Sequence, residues 1–173
     1  MLSEIIENIM KSKGFTLVEL MITMAVMAVT LSIAVPLLSN MMQNNLITSN
    51  TNSIIGAFNY ARIEAVKRGV NITIASSDTS ASGNSWGSGY RVWIDDGNTV
   101  GTFETGEEEL RVFDALPTSL TLNSTPVFYT FRATGFAVAS DSLTLCTDES
   151  GVQGRQLLLS LSGRLQASNI TCP

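Results

Sequence analysis

The sequence predicts an α+β protein in which a long N-terminal transmembrane helix packs on a C-terminal antiparallel β-sheet domain. Three observations predict it. An apolar run from Phe15 to Leu38 holds a single charge, Glu19. Apolar residues then recur at three- and four-residue steps as far as Val66. Beyond Gly69, short stretches alternate apolar and polar residues and are separated by turn-forming residues. One helix followed by many short strands reads as an α+β unit whose sheet covers the helix's apolar face.

The apolar run comes first. As a helix it reaches the roughly 20 residues that a bilayer requires. Lys11 and Lys13 precede it, so the positive-inside rule places that end in the cytoplasm and the rest of the chain across the membrane. An ordinary secretory signal has an apolar core of about 7–15 residues followed by small residues at a cleavage site. This run is longer, and no polar cleavage region follows Ala25, Ala28 or Ala34. A plain single-pass anchor leaves Glu19 unexplained, because a carboxylate at that depth is costly without a partner.

The helix is expected to continue beyond the membrane. Pro36 removes one backbone hydrogen bond and predicts a bend. Leu46, Ile47, Ile54, Ile55, Phe58, Ala61, Ala65 and Val66 then mark one buried face. Lys67 and Arg68 suit the negative end of the helix dipole, and Gly69 suits its C-terminal stop. A single helix from Phe15 to Arg68 would measure about 80 Å. Two helices broken near Pro36 or the Asn-rich stretch after it are the alternative.

The remainder reads as β. Expected strands are Val70–Ala75, Tyr90–Ile94, Glu109–Phe113, Leu120–Leu122, Val127–Phe131, Leu143–Cys146, Gln156–Ser160 and Arg164–Gln166. Asp95-Asp96-Gly97-Asn98, Gly135, Ser150-Gly151 and Ser162-Gly163 supply turn chemistry. Ser76–Ser85 is a polar loop. Trp86, Trp93 and Phe131 are expected in the core.

Composition limits the chemistry. The 173 residues contain no histidine, the commonest general base and metal ligand. The net charge of −5 opposes a general nucleic-acid surface. The two cysteines, Cys146 and Cys172, are too few for an ordinary structural zinc site. They are either a disulfide, which implies an oxidising compartment, or free thiols. A bridge over that interval would contribute about 3.5 kcal/mol.

At the head of the apolar run, Gly14-Phe15-Thr16-Leu17-Val18-Glu19-Leu20 resembles the class III signal of type IV pilins and type II secretion pseudopilins. The resemblance implies that a prepilin peptidase cuts between Gly14 and Phe15 and methylates the new amine of Phe15. It implies that Glu19 pairs with the terminal amine of a neighbouring subunit, and that Pro36 kinks the helix without ending it. The expected organisation is a leader over 1–14, a helix over 15–69 that is transmembrane to about 38, and a periplasmic β-rich domain over 70–173.

The later sequence resembles the GspH/FimT-type minor pseudopilins and their pilin-like fold. The resemblance rests on Tyr60–Gly69, on Trp86 with Gly89–Asp95, and on Phe131 with Gly135. Leu143–Cys146, Ser162-Gly163-Arg164 and the terminal Cys172 extend it. It implies a C-terminal disulfide between Cys146 and Cys172. It implies a structural subunit of a type IV pilus or a type II secretion pseudopilus, with no enzymatic activity, cofactor or metal. Expected partners are other pilins or pseudopilins, the prepilin peptidase and an inner-membrane assembly platform. The chain is expected first as a single-pass inner-membrane protein, then in the fibre.

The alternative is a DNA-binding minor pilin. Some FimT-like relatives bind DNA through a C-terminal G-R-x-R element. Here Gly163 and Arg164 match, but Gln166 replaces the second arginine. Arg164 and Arg155 are then the candidate phosphate contacts.

Four other patterns carry less. Gly83-Asn84-Ser85-Trp86-Gly87 has nucleophile-elbow spacing, but there is no histidine to act as base and no strand-to-helix context. Asp95-Asp96-Gly97-Asn98 lacks EF-hand spacing and reads as a hairpin turn. Glu107-Glu108-Glu109 reads as a solvated face. Asn71, Asn123 and Asn169 head Asn-x-Ser/Thr triplets, which matter only in a eukaryotic secretory setting.

Overall fold

A computed structural model describes residues 14–78, 85–97, 99–148 and 151–172. Apart from Gly14, the expected leader over 1–14, with Lys11 and Lys13, lies outside the described residues, as do Gly83, Asn84, Asn98 and Ser150. Helix α1 spans Leu17–Arg68, and Pro36 lies inside it. Eight strands follow: β1 Ile72–Ser76, β2 Tyr90–Ile94, β3 Glu109–Phe113, β4 Leu120–Ser124, β5 Phe128–Phe131, β6 Asp141–Thr147, β7 Gln153–Leu159 and β8 Leu165–Thr171. A 3₁₀ turn covers Ser85–Ser88.

The start of α1 has a local cause. Gly14–Thr16 are not helical, and Thr16 acts as the N-cap: its Oγ1 accepts from the Glu19 N–H at 3.2 Å, and its carbonyl accepts from Leu20 at 3.1 Å. Thr16-Leu17-Val18-Glu19 is a capping-box sequence, and Glu19 also suits the positive end of the helix dipole. The helix is long and apolar enough to cross a membrane. Three hydroxyls of its apolar run are satisfied within the helix: Thr23 bonds the Leu20 carbonyl, Thr30 the Met27 carbonyl and Ser32 the Val29 carbonyl. Gly69 ends the helix with φ +70° and donates to the Ala65 carbonyl.

Two compact units divide the chain near Gln43. In the first, Gly14 to Met42 are all exposed. The second is a three-part sandwich of helix and two sheets. One sheet runs β3-β2-β1-β5 and the other β4-β6-β7-β8, and every pairing is antiparallel. From α1 the core takes Ile47, Ile54, Ala57, Phe58, Ala61 and Ala65. Phe58 is its hub, with ring centroids 6.0 Å from Trp86, 5.4 Å from Tyr129 and 6.3 Å from Phe131. The Trp86 indole donates to the Pro126 carbonyl at 2.9 Å, so this aromatic buries its polar atom with a partner.

Alternation decides which residues face inward. Ile72, Ile74, Tyr90, Val92, Tyr129 and Phe131 line the core from the first sheet. Leu120, Leu122, Leu143, Leu145, Leu157, Leu159 and Leu165 line it from the second. The first sheet also buries its other face. There Thr73 donates or accepts with Thr130 at 2.7 Å and donates to the Asp95 carboxylate, which also takes the Gly101 N–H at 2.9 Å. Trp93 belongs to this second layer, edge-on to Phe103 at 5.7 Å. Asp95 is thus a buried anchor for the segment after β2, and not simply a turn residue.

One further expectation is corrected. Val66 is exposed, whereas Glu64 is buried on the helix face that meets the domain. Glu108 and Glu109 are exposed, as a solvated run would be, but all three acids are engaged. Glu107 accepts from the backbone of Gly97 and Glu104, Glu108 pairs with Arg68, and Glu109 pairs with Arg91.

Candidate functional site

The first candidate is the start of α1. Phe15 is exposed, and nothing lies within 4 Å of where a Gly14 side chain would stand. Glu19 sits one turn inside the helix, and among the described residues its carboxylate has no ion-pair partner. From Leu20 to Ala61 no charged residue occurs. An acid on an apolar helix therefore stands without a cation partner among the described residues. The Thr16 cap is a feature that sequence reasoning missed, although the T-x-x-E spacing is its signal.

The second is the C-terminal staple. Cys146 at the end of β6 and Cys172 after β8 are bonded, with Cα atoms 5.7 Å apart. The bond crosses β7, which lies between those strands. Gly154 of β7 makes room: a Cβ there would stand 2.5 Å from Cys172 Sγ and 2.7 Å from the Leu145 carbonyl. Nothing in the sequence pattern singled out Gly154, because the need for a glycine comes from strand order.

The third is an ion-pair cluster at the end of α1. Glu64 bonds Arg68 Nε at 2.7 Å and Lys67 Nζ at 3.3 Å, and Arg68 Nη1 reaches Glu108 at 2.8 Å. The Arg68 bond, joined by Lys67, holds the Glu64 carboxyl below its ordinary range despite burial. Glu108 and Glu64 in turn raise the Arg68 guanidinium. The cluster fastens the helix end to the segment before β3.

The DNA candidates do not converge. Arg155 pairs in register with Asn169, while Arg164 precedes the Leu159–Leu165 pair at the other end of the same hairpin. Those positions are about 13 Å apart along the strand. Arg155 is half-buried and donates to the Gly154 carbonyl, and Arg164 is exposed. Gly163 has φ +77°, and a Cβ there would come 2.2 Å from the Gly135 carbonyl oxygen. Gly163 thus has a packing role beside Arg62 and Gly135.

Among the described residues, no nucleophile elbow is formed. Ser85 opens a 3₁₀ turn and Trp86 is fully buried. Among the described residues, no three cysteines or carboxylates are placed to hold a metal ion.

Comparison with known proteins agrees with this fold. The model of the family described as type II transport protein GspH matches residues 50–163, and that of the prokaryotic N-terminal methylation motif matches residues 9–35. No curated protein matches the chain. Two crystal forms of the type IV minor pilin FimU from Pseudomonas aeruginosa strain PAO1 share the fold. One superposes with a TM-score of 0.58 at 25% identity, over 73% of this chain and 90% of FimU. The other gives 0.55 at 25% identity, over 70% and 91%. The fold is that of structural pilin subunits, one apolar N-terminal helix on antiparallel sheets, and the chain belongs to the GspH family.

Proposed function

We propose that the chain is a minor pilin or pseudopilin, a non-enzymatic subunit of a type IV pilus or a type II secretion pseudopilus. A prepilin peptidase cuts between Gly14 and Phe15 and methylates the Phe15 amine. The mature helix waits in the inner membrane with the β domain in the periplasm. It then leaves the bilayer to bundle with the helices of other subunits, delivered by the assembly platform.

The observation that carries this reading is Glu19. It is the one charge of a helix that is otherwise uncharged to Ala61, and it has no cation within its own described chain. In the bilayer, and again in a helix bundle, such an acid is tolerable when a cation meets it. The amine of Phe15 in a neighbouring subunit is that cation, and the pair fixes the axial register between helices. The disulfide suits a periplasmic domain.

The test is fibre incorporation in the native host. Glu19→Leu is expected to leave the chain processed and in the membrane but absent from sheared fibres. Full incorporation of that variant would overturn the role of Glu19.

A further inference from the structure

The cations of the globular unit are divided. Lys67, Arg68 and Arg91 are all paired with carboxylates. Arg111, exposed and without an ion pair among the described residues, lies over the rings of Tyr60 and Phe113, whereas Arg132 and Arg164 are exposed with neither an ion pair nor a ring contact among the described residues. Arg132 and Arg164 sit on two adjoining turns. Within the first, Gly135 N–H donates to the Arg132 carbonyl at 2.7 Å and Arg132 N–H to the Phe136 carbonyl at 2.9 Å. Ala137 N–H then reaches the Leu161 carbonyl of the second turn at 3.0 Å. The Arg62 guanidinium clamps both, donating to the Gly135 carbonyl at 3.0 Å and lying against Gly163. The platform is therefore tightly built, with the glycine contacts leaving no space for a side chain.

Its surface is apolar as well as basic. Phe136 and Leu161 are 54% and 56% exposed on the same two turns. No acid occurs in 131–140 or 151–172. Asp141, opposite Leu159 in register, borders the platform, while Asp95, Asp96, Glu104, Glu107, Glu108 and Glu109 all lie in the segment from β2 to β3.

We propose that this platform docks a carboxylate-bearing, apolar-flanked segment of the adjacent subunit in the fibre. The proposal rests on the fibre-subunit reading above and goes beyond it by naming the surface and the chemistry of its partner. Charge complementarity identifies the occupant. Free guanidiniums bind carboxylates in forked pairs, and aromatic and arginine side chains together make the strongest interface anchors. Two unlike patches that meet head to tail generate an open helical assembly, the symmetry a fibre needs. Nucleic acid fits less well. The two cations of this platform, on a chain of net charge −5, would neutralise few phosphates, and Phe136 and Leu161 would be left unused.

The experiment places the photoreactive residue benzoylphenylalanine at position 136 of the full-length chain in its native host. Cells are irradiated, fibres are sheared off, and the adduct is mapped by mass spectrometry. A peptide of another fibre subunit that contains Asp or Glu is expected. Arg132→Glu with Arg164→Glu should cut its yield at least about fivefold, and changing the mapped acid to Lys should restore it. Arg132→Lys with Arg164→Lys should keep most of the adduct and serves as the folding control. An adduct to DNA, to a segment without acids, or one indifferent to charge reversal would overturn the proposal. If the processed chain is missing from fibres before any crosslinking, the fibre-subunit reading itself fails, and the docking proposal falls with it.

Discussion

The Arg62 guanidinium donates to the Gly135 carbonyl at 3.0 Å, tying α1 to a turn 73 residues further along the chain. The carbonyl belongs to a glycine with φ +79°, whose missing side chain leaves room for Val66. A charged donor to a partly buried carbonyl contributes about 1.5–3 kcal/mol. Arg62→Ala should therefore lower the stability of the domain by about 2 kcal/mol, seen as a reduced melting temperature of the detergent-solubilised chain. Gly135→Ala should destabilise as well, because its Cβ would meet Val66 at 2.8 Å in a backbone region unfavourable to alanine.

The staple makes a second prediction. Removing both cysteines, Cys146→Ser with Cys172→Ser, should cost about 3.5 kcal/mol in denaturant unfolding. Gly154→Val should reproduce much of that loss while both cysteines remain, because the new side chain occupies the space of the sulfurs. Maleimide labelling under non-reducing conditions would then find free thiols. A fully bonded, unlabelled Gly154→Val protein would contradict the packing described.

The aromatic hub makes a third. Phe58 is fully buried among Trp86, Tyr129 and Phe131. Phe58→Ala should destabilise by about 3–5 kcal/mol, since the rigid rings around it cannot close the cavity. Loss of near-ultraviolet circular dichroism at lower denaturant concentration is the readout. Ile63→Ala, on the exposed face of the same helix, should change stability by less than about 0.5 kcal/mol.

Much of this was legible in the residues, for physical reasons that differ by element. β2 and β3 fall on Tyr90–Ile94 and Glu109–Phe113, as their alternation and flanking turns indicate. β8 runs to Thr171, well past Gln166, because its polar outer residues hide the alternation and its partner β7 supplies the ladder. Glu64 carries no signal of burial in the sequence. It is buried because Arg68, four residues on, folds over it and Glu108 arrives from another element. Likewise Arg155 and Arg164 are near in sequence, yet strand register sends them to opposite ends of one hairpin. Period and capping are local and can be read. Register, ion pairing across elements and the space at Gly154 arise only once strands are paired.

The pH dependence follows from two groups. Glu64 has a carboxyl pKa lowered from 4.5, chiefly by its bond to Arg68. A depressed carboxyl contributes stability above its unfolded value, lost as pH falls through the lower folded value. Unfolding free energy should thus drop as pH falls below 4.5, and Glu64→Gln should flatten that part of the profile. Burial pushes the Tyr129 phenol up to about 12. Its contribution is present below 10 and lost as pH rises through about 12, so Tyr129→Phe should flatten the alkaline limb. Urea midpoints measured across pH check both.

The central claim is that Gly14-Phe15 is a processing site and that Glu19 serves the helix so released. N-terminal sequencing and intact mass of the chain, from native cells with and without the prepilin peptidase, test it most directly. The account predicts N-methylated Phe15 as the first residue when the peptidase is present, and retention of residues 1–14 when it is absent. A mature chain beginning anywhere else, or a start unaffected by loss of the peptidase, would contradict it.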